Sequence, residues 1–224
     1  FLFLMVETSW SQDFFYRVNH LGMEEGLSFR HATVVVQDNV GFIWIGTRNG
    51  LNRFDGYEFL HYTVNASERG PSISGNAIND LEIDQDGNLW VATNQGVDVL
   101  NPTTNEIKSF STSEVFEKKS GIQGVDEITI TKTSGRVFIH SHLYQRFDRF
   151  YNTVEYQNGN FSELVFSDTS NRKYEYIANV FEDAESSLWC RPANTKTFFQ
   201  LNDQYQILNA IELPDSIGPY RLKK

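Results

Sequence analysis

One pattern recurs along this chain and limits its fold more than any other feature. Val34-Val-Val-Gln-Asp38 is followed by Gly41-Phe-Ile-Trp-Ile-Gly-Thr47, then by Asn49-Gly50 and Leu51-Asn-Arg-Phe-Asp55. The same order returns as Leu81-Glu-Ile-Asp84, Gly87-Asn-Leu-Trp-Val-Ala-Thr93, Gly96 and Val97-Asp-Val-Leu-Asn101. A weaker copy runs Ile128–Thr131 and Gly135-Arg-Val-Phe-Ile-His-Ser141, ending near Phe147-Asp148. A fourth runs Ile177–Asp183 and Ser186-Ser-Leu-Trp-Cys-Arg-Pro192, ending at Leu201-Asn202. The aromatic marker therefore moves from 44 to 90 to 138 to 189, in steps of 46, 48 and 51. A fixed period of this length is the signature of an array of identical supersecondary units.

Each unit reads as short strands separated by turns. Val34–Gln37 is a continuous apolar strand, expected to be buried on both faces. Asp38-Asn-Val-Gly41 is a turn, Phe42–Thr47 the second strand, and Asn49-Gly50 a tight hairpin signal. Leu51–Phe54 and Phe59–Thr63 complete the unit. Four antiparallel strands in roughly 46 residues form one blade of a β-propeller. The predicted fold is therefore all-β, with four four-stranded antiparallel blades and almost no helix. Trp44, Trp90, Phe138 and Trp189 should wedge between neighbouring sheets, where a large aromatic buries about 150–250 Å². Gly46 and Ala92, two residues on and on the same strand face, suit close approach of the next sheet.

Composition supports a folded β-rich chain: of 224 residues, 40% are hydrophobic and 21% charged, with 18 Phe and 10 Tyr. The net charge of −10 opposes contact with phosphate backbones, so nucleic acid is not an expected partner. One cysteine, Cys190, excludes an internal disulfide framework and reads as a buried inert thiol. The apolar run Phe1–Val6, followed by small residues at Ser9 and Ser11, reads as the tail of a secretory signal.

With Glu25-Gly-Leu-Ser28 preceding it, the stretch Val34–Gly56 resembles the two-component regulator propeller repeat. The first two units carry the pattern closely; the third and fourth depart from it at Phe138, Ser141 and Pro192 and lack the hairpin glycine. The resemblance covers about residues 14–202, most specifically 20–101. It implies a periplasmic sensor region of a Bacteroidetes hybrid two-component protein, with an oligosaccharide ligand, further blades toward a seven-bladed ring, and a downstream histidine kinase as partners. It also implies the option of a homodimer in the full-length receptor. On this reading residues 1–11 are a signal remnant and 12–33 an N-terminal segment closing the propeller. Blades follow at 34–76, 77–123, 124–172 and 173–213, and 214–224 starts the connection to another blade. Phe14–Val18 should then pair with the last blade of a complete ring, leaving these four blades as an open arc.

No catalytic residue, metal ligand set or cofactor is expected. Gly-x-Ser-x-Gly, P-loop and His-Glu-x-x-His motifs are not present in the sequence. His140 and His142 share a strand face, the start of a metal site without an evident third ligand. Asp84-Gln-Asp-Gly87 imitates the start of a calcium loop, but loop position 12 is Gln95 and not the bidentate Glu. Ligand binding is instead expected where the second-to-third-strand loops and the blade connections open on one face. The candidates are Arg48, Asn49, Asn94 and Gln95 in the loops, with Arg69 and Asn76 in the connection. These planar polar groups can bond sugar hydroxyls, although Asn49 and Asn94 also suit a purely turn-forming role. Two other readings compete: a closed four-bladed binding protein of hemopexin type, and a propeller lyase or glycosidase.

Overall fold

The computed structural model describes residues 19–64, 72–117, 122–145, 148–193 and 195–214. The expected signal remnant, the pairing strand Phe14–Val18, Arg69 and Phe147 lie outside the described residues. Four antiparallel four-stranded sheets follow one another along the chain. The first contains β1 (Ala32–Gln37), β2 (Ile43–Thr47), β3 (Gly50–Phe54) and β4 (Phe59–Tyr62). The second contains β5 (Ile78–Ile83), β6 (Leu89–Thr93), β7 (Gly96–Leu100) and β8 (Ile107–Ser111). A single helical turn, α1 (Thr112–Val115), follows it, closed by a capping box between Ser111 and Glu114. The third sheet contains β9 (Glu127–Ile130), β10 (Val137–Gln145), β11 (Asp148–Gln157) and β12 (Asn160–Glu163). A small hairpin, β13 (Phe166–Ser167) and β14 (Lys173–Tyr174), precedes the fourth sheet. That sheet contains β15 (Ile177–Glu182), β16 (Leu188–Pro192), β17 (Thr197–Leu201) and β18 (Ile207–Glu212).

Side-chain alternation gives each sheet two apolar faces, and successive sheets bury them against one another. Trp44, Leu51 and Tyr62 of the first sheet meet Ile78, Leu81, Leu89, Val91 and Leu100 of the second. Trp90, Ala92, Val97 and Phe110 meet Ile128, Val137, Ile139 and Val154 of the third. Phe138 meets Ile177, Val180, Leu188, Cys190, Phe199 and Leu201 of the fourth, with Leu164 and Phe166 of the intervening segment in the same cluster. Among the described residues no such cluster joins the fourth sheet to the first. Trp44, Trp90 and Trp189 are all buried, as the repeat requires. Trp44, Trp90 and Phe138 each face the following sheet; Trp189 holds the same register position, between Phe181 and Gln200, on the side of the fourth sheet that faces away from the third. Gly46 sits where a Cβ would come within 2.7 Å of Ile78 Cγ2 in the next sheet, which is why no side chain is tolerated there.

Two expectations are corrected. The first strand of the first unit is not buried on both faces: Val35 is 56% exposed. Its counterpart Leu81 in the second sheet is 1% exposed because the first sheet covers it, whereas no described sheet covers the side to which Val35 points. The third unit does not end near Phe147-Asp148. Its central hairpin is extended instead, with β10 and β11 paired continuously from Val137↔Tyr156 to Gln145↔Asp148, so the third strand begins where the repeat predicted its end. His140 and His142 each have partners within the fold. His140 lies buried between the hydroxyls of Thr153 (2.9 Å) and Thr129 (3.2 Å), and His142 Nδ1 is 2.9 Å from Asp126 Oδ2.

Candidate ligand-binding face

The two ends of the sheets are built differently, and the difference separates scaffold from candidate site. At one end lie the first-to-second-strand turns. Asp38 accepts backbone N–H bonds from Val40, Gly41 and Phe42 on Oδ1, while its Oδ2 accepts the indole N–H of Trp44 at 2.8 Å. Asp84 repeats this with Asp86, Asn88 and Trp90, the indole again at 2.8 Å. Asp183 repeats it with Glu185, Ser187 and Trp189 at 2.7 Å. These hydrogen bonds hold the Asp183 carboxyl below the ordinary range, its backbone and indole donors favouring the charged form. Asp84 is thus a turn and indole anchor and not the first ligand of a calcium loop. Neighbouring turns are laced together: Gln85 donates to the carbonyls of Lys132 and Thr133, and Thr133 N–H donates to Glu182. The polar groups named in these turns spend their hydrogen bonds on the scaffold itself.

At the opposite end lie the second-to-third-strand loops and the connections between sheets. Thr47 Oγ1 donates to Gly50 O at 2.8 Å and Thr93 Oγ1 to Gly96 O at 3.1 Å, closing each hairpin. The incoming connection is tied to the same threonine: Ser28 Oγ is 3.0 Å from Thr47 Oγ1, and Ser74 Oγ is 3.0 Å from Thr93 Oγ1. It is tied again in mid-strand, where Ser28 N–H donates to Asn52 and Ser74 N–H to Asp98. This serine anchor, spaced 46 residues apart, was readable as a repeated Leu-Ser or Ile-Ser pair ahead of each inner strand but carries no motif of its own.

The sequence-predicted site residues divide within this frame. Asn49 donates to Ser28 O at 3.2 Å, and Asn94 Oδ1 accepts from Ala77 N–H at 3.3 Å, so both amides help join loop to connection. Asn76 is half-buried; its Oδ1 accepts from Val64 N–H at 2.7 Å and its carbonyl from Gly50 N–H at 2.7 Å. Arg48 and Gln95 are exposed, and neither side chain has a hydrogen-bond partner among the described residues. Register brings Arg48, Asn49 and Asn76 to one sheet end, through Gly50 and Asn76, and places Asn94 and Gln95 at the same end of the next sheet. Sequence reasoning missed His142. It follows Ser141 as Arg48 follows Thr47 and Asn94 follows Thr93, and it stands edge-on to Tyr151 with ring centroids 4.8 Å apart. Sequence reasoning aligned Ser141 with Thr47 and Thr93 but weighed His142 only beside His140, as the start of a metal site. Arg191, half-buried on the next sheet, donates from Nη2 to Asn179 Oδ1 at 2.7 Å.

Among the described residues this end presents the Arg48 guanidinium, the amides of Asn49, Asn76, Asn94 and Gln95, and the His142 imidazole beside Asp126. Cys190 is buried, and desolvation pushes its thiol far above the ordinary range, so the thiolate is not available. Among the described residues no group of three metal-ligating side chains converges.

Comparison with known proteins places this geometry. Residues 72–95 match the family model described as two component regulator propeller. That span runs from Ser72 through the Ser74 anchor, the Asp84 turn and Trp90 to the Gln95 loop, and so takes in the first two of the unit's four strands. A 44-residue stretch is 43% identical to histidine kinase P4 of Formosa agariphila, covering 20% of this chain and 3% of that protein. The fold is similar to the extracellular domain of a putative hybrid two component system from B. thetaiotaomicron, at 18% identity and a TM-score of 0.51, over 81% of this chain and 24% of that one. It is also similar to PorZ, a surface component of the type-IX secretion system of Porphyromonas gingivalis, at 17% identity and a TM-score of 0.56, over 79% and 25% of the two chains. The chain spans about a quarter of the length of these solved structures. The chain is a run of β-propeller blades, and within it residues 72–95 carry the match to the two component regulator propeller model.

Proposed function

We propose that this chain is part of the ligand-sensing region of a hybrid two-component sensor, exposed outside the cytoplasm, and that it recognises an oligosaccharide through the loop end of its sheets. In this reading the bound state is relayed to a histidine kinase elsewhere in the receptor. The observation that carries it is the asymmetry of the two ends. The turn end uses its polar groups on Trp anchors and inter-turn bonds, whereas the loop end leaves Arg48 and Gln95 exposed and unbonded beside Asn49, Asn76 and Asn94. Planar amides and guanidinium groups suit sugar hydroxyls, and rigid hairpins closed by Thr47 and Thr93 hold them in place with little ordering cost on binding. The similarity to histidine kinase P4 and to a hybrid-system extracellular domain supports the same role. A closed four-bladed ring is the weaker reading, since no described apolar cluster links the fourth sheet to the first.

Titration calorimetry of the purified chain against a panel of plant and host oligosaccharides tests this. Binding by at least one member, weakened several-fold in Arg48→Ala and Gln95→Ala without loss of melting temperature, is the expected result. Turnover of any panel member by the purified chain would instead favour the enzyme reading.

A further inference from the structure

Two exposed arginines and a histidine meet at the loop end of the first sheet, and no assignment so far accounts for all three. Ala32 pairs with Thr47, so Arg30 and His31, just ahead of β1, stand at the same end of the ladder as Arg48, just after β2. The connection is held there by Ser28 Oγ to Thr47 Oγ1 at 3.0 Å and by Asn49 Nδ2 to Ser28 O at 3.2 Å. Arg30, His31 and Arg48 are all exposed, and neither arginine has an ion-pair partner among the described residues. Among the described residues, those that hydrogen bonds tie to this end include Ser28, Thr47, Asn49, Gly50, Val64 and Asn76, none a carboxylate, while Glu24 and Glu25 lie in the exposed turn ahead of Ser28. In a chain of net charge −10, unneutralised cations gathered at one sheet end run against the whole molecule's sign.

Resting on the sensing role proposed above, we infer that the ligand of this face is an anionic oligosaccharide, carrying uronate carboxylates or sulfate esters, with Arg30 and Arg48 as its charge-reading residues. A guanidinium offers a planar fork of N–H donors that matches a carboxylate or sulfate oxygen pair, which a neutral sugar does not present. The amides of Asn49 and Asn76 and the His31 imidazole stand at the same sheet end and can take the hydroxyls. The surrounding acidic surface repels anions elsewhere, so a cationic patch concentrates them at this end.

The test is calorimetry on the 224-residue chain with three probes of equal length: an oligogalacturonate, a sulfated oligosaccharide and a neutral malto-oligosaccharide. The wild-type chain should bind one or both anionic probes, more weakly as salt rises, and the pair that binds distinguishes carboxylate from sulfate. Arg30→Gln/Arg48→Gln should weaken that binding roughly ten- to hundredfold, and Arg30→Lys/Arg48→Lys by less, with melting temperatures unchanged because both side chains are exposed. Equal or tighter binding of the neutral probe would overturn this inference and leave the sensing role standing. Anionic binding untouched by the double Gln substitution would overturn it too, by placing the contact elsewhere. Absence of binding by all three probes counts against both the anionic ligand and the oligosaccharide reading.

Discussion

At Asp84 one carboxylate fixes a turn with one oxygen and aims an indole with the other, and the same arrangement stands at Asp38 and Asp183. The sequence showed the aspartate as a turn residue and the tryptophan as a wedge; that they are one device, six residues apart, required the structure, because a side chain bonding across a turn leaves no periodic trace. Asp84→Ala should lower stability by about 1–3 kcal/mol, since it leaves a partly buried indole N–H without its acceptor, measured by urea denaturation with tryptophan fluorescence as the readout. Asp98 makes a second residue-scale prediction. It is fully buried and accepts bonds from the Ser74 N–H and from the hydroxyls of Ser74 and Ser109, at the position where the first sheet has Asn52. Desolvation raises its carboxyl above the ordinary range, against the lowering effect of those donors. A raised folded-state acid contributes stability that is complete below the unfolded carboxylate range and is lost as pH climbs through the folded value. The melting temperature of Asp98→Asn relative to the native chain should therefore rise between pH 4 and pH 7; a difference flat across that window would contradict the assignment.

Strand by strand, the first two units were readable almost to the residue, because alternation, turn aspartate, tryptophan and hairpin glycine all agree there. The third was not. Its hairpin glycine is missing, and without a residue to force the turn after Ser141 the second strand runs on to Gln145 before reversing. The hairpin β13–β14 was likewise invisible, since two-residue strands carry no period; tertiary packing of Phe166 and Tyr174 against Phe199 sustains it. Burial depends on the neighbouring sheet as much as on the strand, which is why an all-apolar β1 still exposes Val35. That contrast can be measured directly. Val35→Glu should change stability by no more than about 0.5 kcal/mol, while Leu81→Glu, at the equivalent buried position, should leave the chain unfolded, as judged by circular dichroism. Close packing between elements is equally specific: Gly46→Val should cost about 1–3 kcal/mol through overlap with Ile78 and Val34. Part of that loss should return in the double substitution with Ile78→Ala.

For the molecule as a whole, the fold leaves function open: a hybrid-system extracellular domain and a secretion-system surface component share these blades, so the role has to be read from the loop end. Of the residues that sequence reasoning placed there, Arg48 and Gln95 are exposed, Asn49, Asn76 and Asn94 also brace the connections, and His142 holds the equivalent position in a repeat whose second strand runs on past it. The turn end was legible as turns but not as a laced scaffold, because its inter-sheet bonds join residues 47 to 49 positions apart in sequence. In the proposed role one end of the sheets binds and the other only supports. Hydrogen–deuterium exchange of the chain, with and without a bound oligosaccharide, tests it most directly. Protection should appear in segments 28–31, 47–50 and 93–96 and be absent from the turns at 38–42 and 84–88. Protection concentrated in those turns, with the loop segments unchanged, would contradict it.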